Sequence, residues 1–385
     1  MNRRHLLAAA LTAPLALPWT PTFAQAAAGR DGRVKRLLLI ELNGGNDGLN
    51  TVVPLADPRY SELRPQLGLD SAALIPLEGG MGLNPAMDAL RPVWEAGQLA
   101  IIQGVGYEHA NRSHFRSIEI WDTGTDADVI GTRGWLASVD PAALFGRTFA
   151  APGIVIGRNP AALSGGRHQP VVMQDSQRFA AQARSVLDST LRNATPALRH
   201  ILDVQSEIRT AAEGLGAGRP RPRGDFPPGA FGQDAAEAAA LLCGDPAAPV
   251  VKIALTGFDT HVNQRARHDA LLGQLARTLA ALRTSFTDAG IWNDVLIATY
   301  SEFGRRAAQN ASGGTDHGKG APHFVMGGAV RGGLVGEAPR LSDLDDGDVA
   351  VSLDYRRLYN TVLTRWWQAP ASALNVSKFP PLALV

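Results

Sequence analysis

The sequence predicts a doubly wound α/β fold, in which a mainly parallel sheet carries helices on both faces. Continuous apolar runs at residues 34–42 and 250–255 are typical of strands that are covered on both faces. Segments with helical apolar spacing alternate with such runs along the chain. Glycine and proline, 41 and 25 of the 385 residues, indicate long shaped loops between these elements.

Each element follows from its local pattern. The strands predicted in chain order cover residues 34–42, 99–105, 153–156, 170–173, 250–255, 294–300 and 324–326. The predicted helices cover residues 84–94, 111–121, 176–191, 196–212, 268–286 and 355–367. Without any internal repeat, this pattern predicts a single domain over residues 31–385, with a loop excursion near residues 214–231 that is rich in glycine and proline.

The first 26 residues are predicted to be an export signal. Arg3 and Arg4 precede an apolar stretch at residues 6–17, which is too short to span a bilayer, and small residues follow at 24–26. The adjacent arginines favour twin-arginine export, with an ordinary secretory signal as the alternative. We therefore expect a periplasmic or secreted protein. No later segment is apolar enough to predict stable membrane insertion.

The composition excludes some functions. Lys and Arg number 37 and Asp and Glu 36, so the formal net charge is +1, which argues against nucleic acid as a partner. The single cysteine, Cys243, excludes an internal disulfide and a cysteine-based metal cluster. We expect its side chain to be a small buried hydrophobe.

In a parallel sheet the functional residues lie beyond the carboxyl ends of the strands. The first such loop, NGGNDGLN, contains Asn43 and Asp47, whose oxygens could bind a metal. The alternative is a structural turn in which Asp47 caps the next segment. In the second loop Arg112, Ser113, His114 and Arg116 suit an activated nucleophile or an oxyanion-binding cluster. The alternative for the second loop is that Ser113 caps the helix that follows.

The third and fourth loops contain candidate metal ligands. Asp259 and His261, two residues apart after a buried strand, suit zinc or manganese, although the aspartate could instead cap the next helix while the histidine packs. The fourth loop contains Glu302 and, within a glycine-rich stretch, His317. Five of the nine histidines fall in loops two to four, which favours a site there over chance.

Several motifs together resemble a known group of proteins. They are GGNDGLNTVVP, SHFRSIEIWDTG, GFDTH, SEFGR and TDHGKG, and they extend from about Leu37 to Trp367. They resemble an uncharacterised family of twin-arginine-exported bacterial proteins grouped with the alkaline phosphatase and sulfatase superfamily. The resemblance implies an alkaline-phosphatase-like sheet with two divalent metals and a nucleophile, which hydrolyse phosphate or sulfate esters.

The resemblance also implies roles for single residues. Ser113 lies near the position of the nucleophile. Asp259 and His261 resemble part of the first metal site, and His317 resembles the histidine that completes it.

This sequence departs from the superfamily at two places. Asn43 stands where the superfamily has an aspartate, with Asp47 as a substitute, and Glu302-Phe303 replaces an Asp-His pair. A second site would therefore bind calcium or magnesium through oxygens, or bind nothing.

We accordingly expect an exported, metal-dependent hydrolase that acts on a small-molecule or polymer-borne phosphate or sulfate ester. Ser113 would attack, while Arg112 and Arg116 would stabilise charge on the transferring group. The alternative is a catalytically silent periplasmic binding or assembly protein on the same fold. An oxidoreductase is disfavoured, because no GxGxxG motif opens the first helix.

Overall fold

A computed structural model describes residues 33–184, 195–215, 219–369 and 374–385 of the chain. The predicted export signal at residues 1–26 lies outside the described residues, as does the end of the helix predicted over residues 176–191. None of the helices within the described ranges combines the length and apolar character needed to cross a membrane.

Nine strands of the described residues form a mixed, mainly parallel sheet, and three more form a small antiparallel sheet. The large sheet has the order β11-β5-β10-β9-β1-β8-β6-β7, with β12 paired to β5, and the small one has the order β2-β4-β3. The strands are β1 Arg36–Asn43, β2 Val52–Pro54, β3 Ile75–Pro76, β4 Met81–Leu83, β5 Leu99–Gly106, β6 Ile154–Ile156, β7 Val171–Met173, β8 Val250–Thr256, β9 Val295–Tyr300, β10 Ala321–Met326, β11 Gly333–Val335 and β12 Leu353–Asp354.

The helices connect these strands and cover both faces of the large sheet. They are α1 Gly48–Thr51, α2 Arg59–Leu63, α3 Arg91–Glu95, α4 His114–Thr123, α5 Pro141–Phe145, α6 Ser176–Ala183, α7 Pro196–Leu215, α8 Ala230–Leu242, α9 Gln264–Asp288 and α10 Arg356–Asn360, which continues as a π-helix over Thr361–Trp366. One face of the sheet packs against α3, α8 and α9. The other packs against α4, α5, α10 and the π-helix. The predicted fold class, a mainly parallel sheet between two layers of helices, is confirmed.

Strand β1 lies inside the sheet and determines where the loops meet. It pairs in parallel with β8 on one side and with β9 on the other. All of its residues from Arg36 to Leu42 are buried, as its apolar run predicts. Because the three strands run in the same direction, the loops after Asn43, Thr256 and Tyr300 emerge at one edge of the sheet.

Some predicted elements differ from the structure. The segment predicted as a helix over residues 84–94 forms a 3-10 turn, Pro85–Leu90, before α3. A proline lies in the first turn of each of these helices, where a backbone N–H would have no acceptor within the helix, so its absence costs no hydrogen bond. Helix α8 was not predicted, although alanine-rich sequence of this kind has a high helix propensity. Cys243 is buried as predicted, and burial raises the pKa of its thiol to about 11.

A buried ionic network lies on the face of the sheet beneath α4. The Lys252 ammonium is 2.9 Å from the Glu41 carboxylate and 3.6 Å from that of Asp122. The Tyr300 hydroxyl lies 3.2 Å from Glu41 and 3.0 Å from Asp122, and the Asn159 amide donates to Asp122. One cation therefore lies between two carboxyl groups, and all three side chains are at most 4% exposed.

We predict that Lys252→Met lowers the free energy of unfolding by about 3–5 kcal/mol at pH 7, because two carboxylates then lose their buried cation. Burial raises the pKa of Asp122, and the Lys252 charge opposes that rise. Without Lys252 the folded-state pKa of Asp122 would lie further above its unfolded value. The folded variant then binds the extra proton, so its deficit should shrink as the pH falls.

Urea unfolding at pH 7 and pH 5 measures both effects. Arg223→Met is the control, because it removes an exposed ion pair with Asp288 and should change stability by at most about 1 kcal/mol. Equal losses in the two variants would contradict a stabilising role for the buried network.

Candidate metal centre

Three histidines and one aspartate converge at the edge of the sheet where β1, β8 and β9 end. His261 Nε2 lies 3.0 Å from His317 Nε2, and both lie near Asp259 Oδ1, at 3.1 and 3.3 Å. His114 Nε2 lies 3.6 Å from Asp259 Oδ2. His114, Asp259 and His317 form a group that could hold a metal ion, with ligand atoms within 4.8 Å of one another.

The other ring nitrogen of each histidine has an acceptor. His114 Nδ1 lies 2.9 Å from the carboxylate of Glu302, and His261 Nδ1 lies 3.1 Å from that of Asp316. His317 Nδ1 lies 2.8 Å from a backbone carbonyl oxygen, that of residue 112. A carbonyl or carboxylate oxygen only accepts, so these contacts favour the tautomers that carry the proton on Nδ1, in which Nε2 is available as a ligand atom.

Two such lone pairs repel one another unless a proton or a metal cation lies between them. His261 and His317 bring two such nitrogens to 3.0 Å, beside a carboxylate oxygen. Ligand atoms around a tetrahedral zinc with bonds of about 2.0–2.1 Å lie about 3.3 Å apart, close to these separations. Burial lowers the pKa of His317, which favours the neutral ring that a metal requires. The residues present therefore fit a divalent metal.

The ligand loops are held together by Arg305, which is buried. Its guanidinium donates to the carbonyl oxygens of Gly44, Gly45, Phe258 and Thr315 in three different loops. It also donates to Asp259 Oδ1 at 2.8 Å. Burial would raise the pKa of Asp259, but the hydrogen bonds from Arg305 and His317 outweigh it and lower the pKa to about 2. The aspartate is therefore an anion at neutral pH.

The first loop approaches the third loop closely because it contains glycine. Gly44 has φ +115°, and a Cβ there would lie 2.4 Å from the backbone nitrogen of Asp259. Its own N–H donates to Glu302 Oε1 at 2.8 Å. A side chain at position 44 would therefore be strained and would push the two loops apart.

Helix α4 is attached to Glu302 at two points. The Ser117 hydroxyl donates to the backbone carbonyl of Glu302, and the Glu302 carboxylate contacts His114. Hydrogen bonding to Glu302 is the largest cause that raises the pKa of His114. Glu302 was predicted as a metal ligand, and that role stays a prediction; in the structure its carboxylate contacts His114 and Gly44 and orients the histidine.

Asp47 and Asn43 do not join the cluster. The buried Asp47 carboxylate accepts hydrogen bonds from Arg64, at 2.6 Å, and from Gln264. The Asn43 amide donates to Glu41. Within the described residues, His, Cys, Asp and Glu side chains form no second group of three potential ligands, and the calcium or magnesium site stays a prediction.

The side chains of the predicted catalytic residues in the second loop have different surroundings in the structure. Ser113 is exposed at the position before α4, as a capping residue would be, yet its side chain makes no capping bond. The Arg112 guanidinium pairs with Asp348, whereas its backbone carbonyl orients a histidine. Arg116 donates to the carbonyls of residues 127 and 129, and its predicted role in stabilising charge stays a prediction.

His114 takes a different place from the one predicted. It was predicted beside the nucleophile, but its Nε2 is directed at the ligand cluster. Two contributors were missed in the sequence. Asp316 orients His261, and Arg305 connects the loops. Their proximity to His317 and Glu302 in sequence is the signal that could have identified them.

Comparisons with known proteins place the chain as follows. Residues 153–376 match the model of a family described as "Protein of unknown function (DUF1501)". The search of curated proteins found no match. The matched segment covers more than half of the chain and includes Asp259, His261 and His317, but not His114.

Three solved structures illustrate the structural similarity. The C-terminal periplasmic domain of EcEptC from Escherichia coli, in complex with Zn, is 9% identical with a TM-score of 0.34, over 77% of this chain and 74% of that chain. A protein in the alkaline phosphatase superfamily from Vibrio parahaemolyticus is 12% identical with a TM-score of 0.38, over 91% and 71%. The PsFucS1 sulfatase from Pseudoalteromonas sp. is 12% identical with a TM-score of 0.37, over 92% and 72%.

We predict that Arg305→Lys lowers the free energy of unfolding by about 3 kcal/mol, because an ammonium cannot replace a planar guanidinium that bonds three loops. Metal affinity should also fall by about 10–100-fold, since the lysine no longer orients Asp259. Chemical denaturation and metal titration measure the two effects. Arg306→Lys is the control, because the neighbouring guanidinium is partly exposed. Similar behaviour of both variants would contradict the connecting role of Arg305.

Proposed function

The chain belongs to the DUF1501 family of proteins of unknown function, and from its site we propose that it is a metal-dependent hydrolase of phosphate or sulfate esters. One observation carries the proposal: His114, Asp259 and His317 form a potential ligand group. His261 Nε2 lies 3.0 Å from His317 Nε2, and each of the three histidines is oriented through Nδ1. Imidazole and carboxylate ligands suit zinc, with manganese as the alternative. His114, His261 and His317 would hold this metal together with Asp259.

A divalent metal in this site would act as a Lewis acid on an ester oxygen and would stabilise the charge that develops in the transition state. The chain's own residues would orient the substrate. Helix α4 begins at His114, and the partial positive charge of a helix N-terminus favours an anionic ester beside the cluster. Ser113 precedes this residue and is exposed to an incoming substrate, so it is our candidate nucleophile.

The setting of this activity is also a proposal. The residues before the described chain carry the features of a twin-arginine signal, so we propose that the enzyme works in the periplasm or is secreted. Its substrate would be a small-molecule or polymer-borne ester.

A second candidate is a periplasmic binding or assembly protein that holds a metal without catalysis. Two observations favour it. The Ser113 hydroxyl makes no hydrogen bond with any described residue, so no base activates it here. Within the described part of the chain there is also only one group of potential metal ligands, whereas the two-metal mechanism needs two.

We predict that protein purified without chelator binds one zinc or manganese ion per chain. His114→Ala and His317→Ala should each lower the affinity by at least about a hundredfold, more than the loss of an outer partner costs. Isothermal titration with each metal measures this. His168→Ala is the control, because that histidine is exposed and contacts Glu207. Unchanged affinity in both site variants would refute the metal centre.

We predict that the metal-loaded protein hydrolyses p-nitrophenyl phosphate or p-nitrophenyl sulfate. Ser113→Ala should lower kcat by at least about a hundredfold while metal affinity stays unchanged, because the serine is not a ligand. Phe115→Ala is a control at an exposed neighbouring position. A metal-loaded protein that is inactive on both esters would favour the binding protein. An active Ser113→Ala variant would assign the attack to water.

A further inference from the structure

A large cavity opens beside the candidate metal centre, and neither the motifs nor the family match account for it. Its volume is about 960 Å³, within the usual range of about 300–1,000 Å³ for ligand pockets. Strand β6 ends at Ile156 and pairs with β8 only as far as Lys252. The rest of β8, to Thr256, lines the cavity with the start of α8. The cavity is therefore the crevice beyond the carboxyl end of a short strand, where α/β sheets bind ligands.

Five polar side chains that line this cavity make no hydrogen bond or ion pair with any residue that the structure describes. They are Arg158, Gln174, Gln233, Asp234 and Gln274. Polar groups on a cavity wall that lack partners are available to a ligand. Three of the five are amides, which both donate and accept hydrogen bonds.

Charged groups of both signs line the cavity, three basic and four acidic, so neither sign is in large excess. Lys252 pairs with Glu41, and Arg178 pairs with Asp175 at 3.2 Å. Burial raises the pKa of Asp234 to about 6, so its carboxyl changes readily between acceptor and donor. Hydroxyl groups, which also donate and accept, match this mixed lining.

Apolar surface accompanies the polar groups. Phe231, Ile253 and Leu255 also line the cavity. Sugar rings present C–H surfaces beside their hydroxyls, so a carbohydrate would satisfy both kinds of wall. A ligand with hydroxyls alone would leave the apolar wall uncovered.

The cavity adjoins the metal centre through two loops. Thr256 lines the cavity, and Asp259 follows three residues later, so their Cα atoms are at most about 11 Å apart. Asn43 lines it as well, and the next residue, Gly44, donates to the glutamate that orients His114. The loops that follow these two lining residues therefore lead from the cavity to the candidate metal site.

We propose that this cavity binds the carbohydrate portion of the substrate and presents an ester on it to the metal centre. The link to catalysis rests on the proposed function, whereas the binding itself does not. Gln233 on α8 and Gln274 on α9 would then be specificity-determining residues, because they line the cavity without belonging to the metal centre.

The binding is tested on the full chain after chelator treatment, which separates it from any activity. The probes are three neutral, unesterified sugars: cellohexaose, maltohexaose and chitohexaose. We expect at least one to bind in isothermal titration, and the double variant Gln233→Ala, Gln274→Ala to raise its Kd at least tenfold. Gln66→Ala, at an exposed position outside the cavity, should leave the Kd unchanged. The proposal would be overturned if none of the three sugars binds, or if the double variant and Gln66→Ala have equal Kd values.

Kinetics test the link to catalysis. For glucose 6-phosphate or glucose 6-sulfate the double variant should raise KM at least tenfold with little change in kcat, while phenyl phosphate and phenyl sulfate keep their KM. A protein that hydrolyses phenyl esters yet binds no oligosaccharide would refute carbohydrate binding in the cavity but not the proposed hydrolase activity. A protein that binds oligosaccharides through these glutamines but hydrolyses no ester would refute the proposed hydrolase activity but not carbohydrate binding in the cavity. Unchanged unfolding midpoints of both variants check that they fold, as expected for the double variant, which places alanine at two helical positions.

Discussion

The buried guanidinium of Arg305 is the interaction on which the candidate site depends. Its donors reach carbonyl oxygens in three loops and the carboxylate of Asp259. These loops follow β1, β8 and β9, whose parallel pairing brings their ends to one edge of the sheet. A loop backbone that leaves a strand has carbonyl groups without sheet partners, and burying them requires donors. One arginine supplies these donors and holds the loops in a common arrangement.

The histidines are oriented from outside the cluster. Glu302, Asp316 and the carbonyl of residue 112 each contact one Nδ1, which leaves three Nε2 atoms directed inward. Each outer partner belongs to a different loop from the histidine that it orients. The geometry of the centre is therefore a property of the loop assembly and not of any one motif.

The sequence predicted much of the fold because its strands are apolar over their whole length. The runs of β1, β8 and β9 lie within a residue or two of the predicted ranges, and the long α9 contains its predicted core. Short elements were less predictable. Helix α8 follows a loop rich in glycine and proline and was missed, since local composition changes abruptly at residue 230. The helix predicted over residues 84–94 is divided into a 3-10 turn and α3, because Pro92 could not donate a hydrogen bond inside one continuous helix and lies instead in the first turn of α3.

For the site, the sequence by itself determined which residue types stand after which strand: Asp259 and His261 after β8, His317 in a glycine-rich loop, and His114 after β5. Only the tertiary structure decided their partners. Asp47 looked like a ligand from its place after β1, yet Arg64, which is distant along the chain, takes its carboxylate. The reason is physical: strand position follows from local hydrophobic pattern, whereas the partner of a polar group depends on which loops pack together once the sheet has formed.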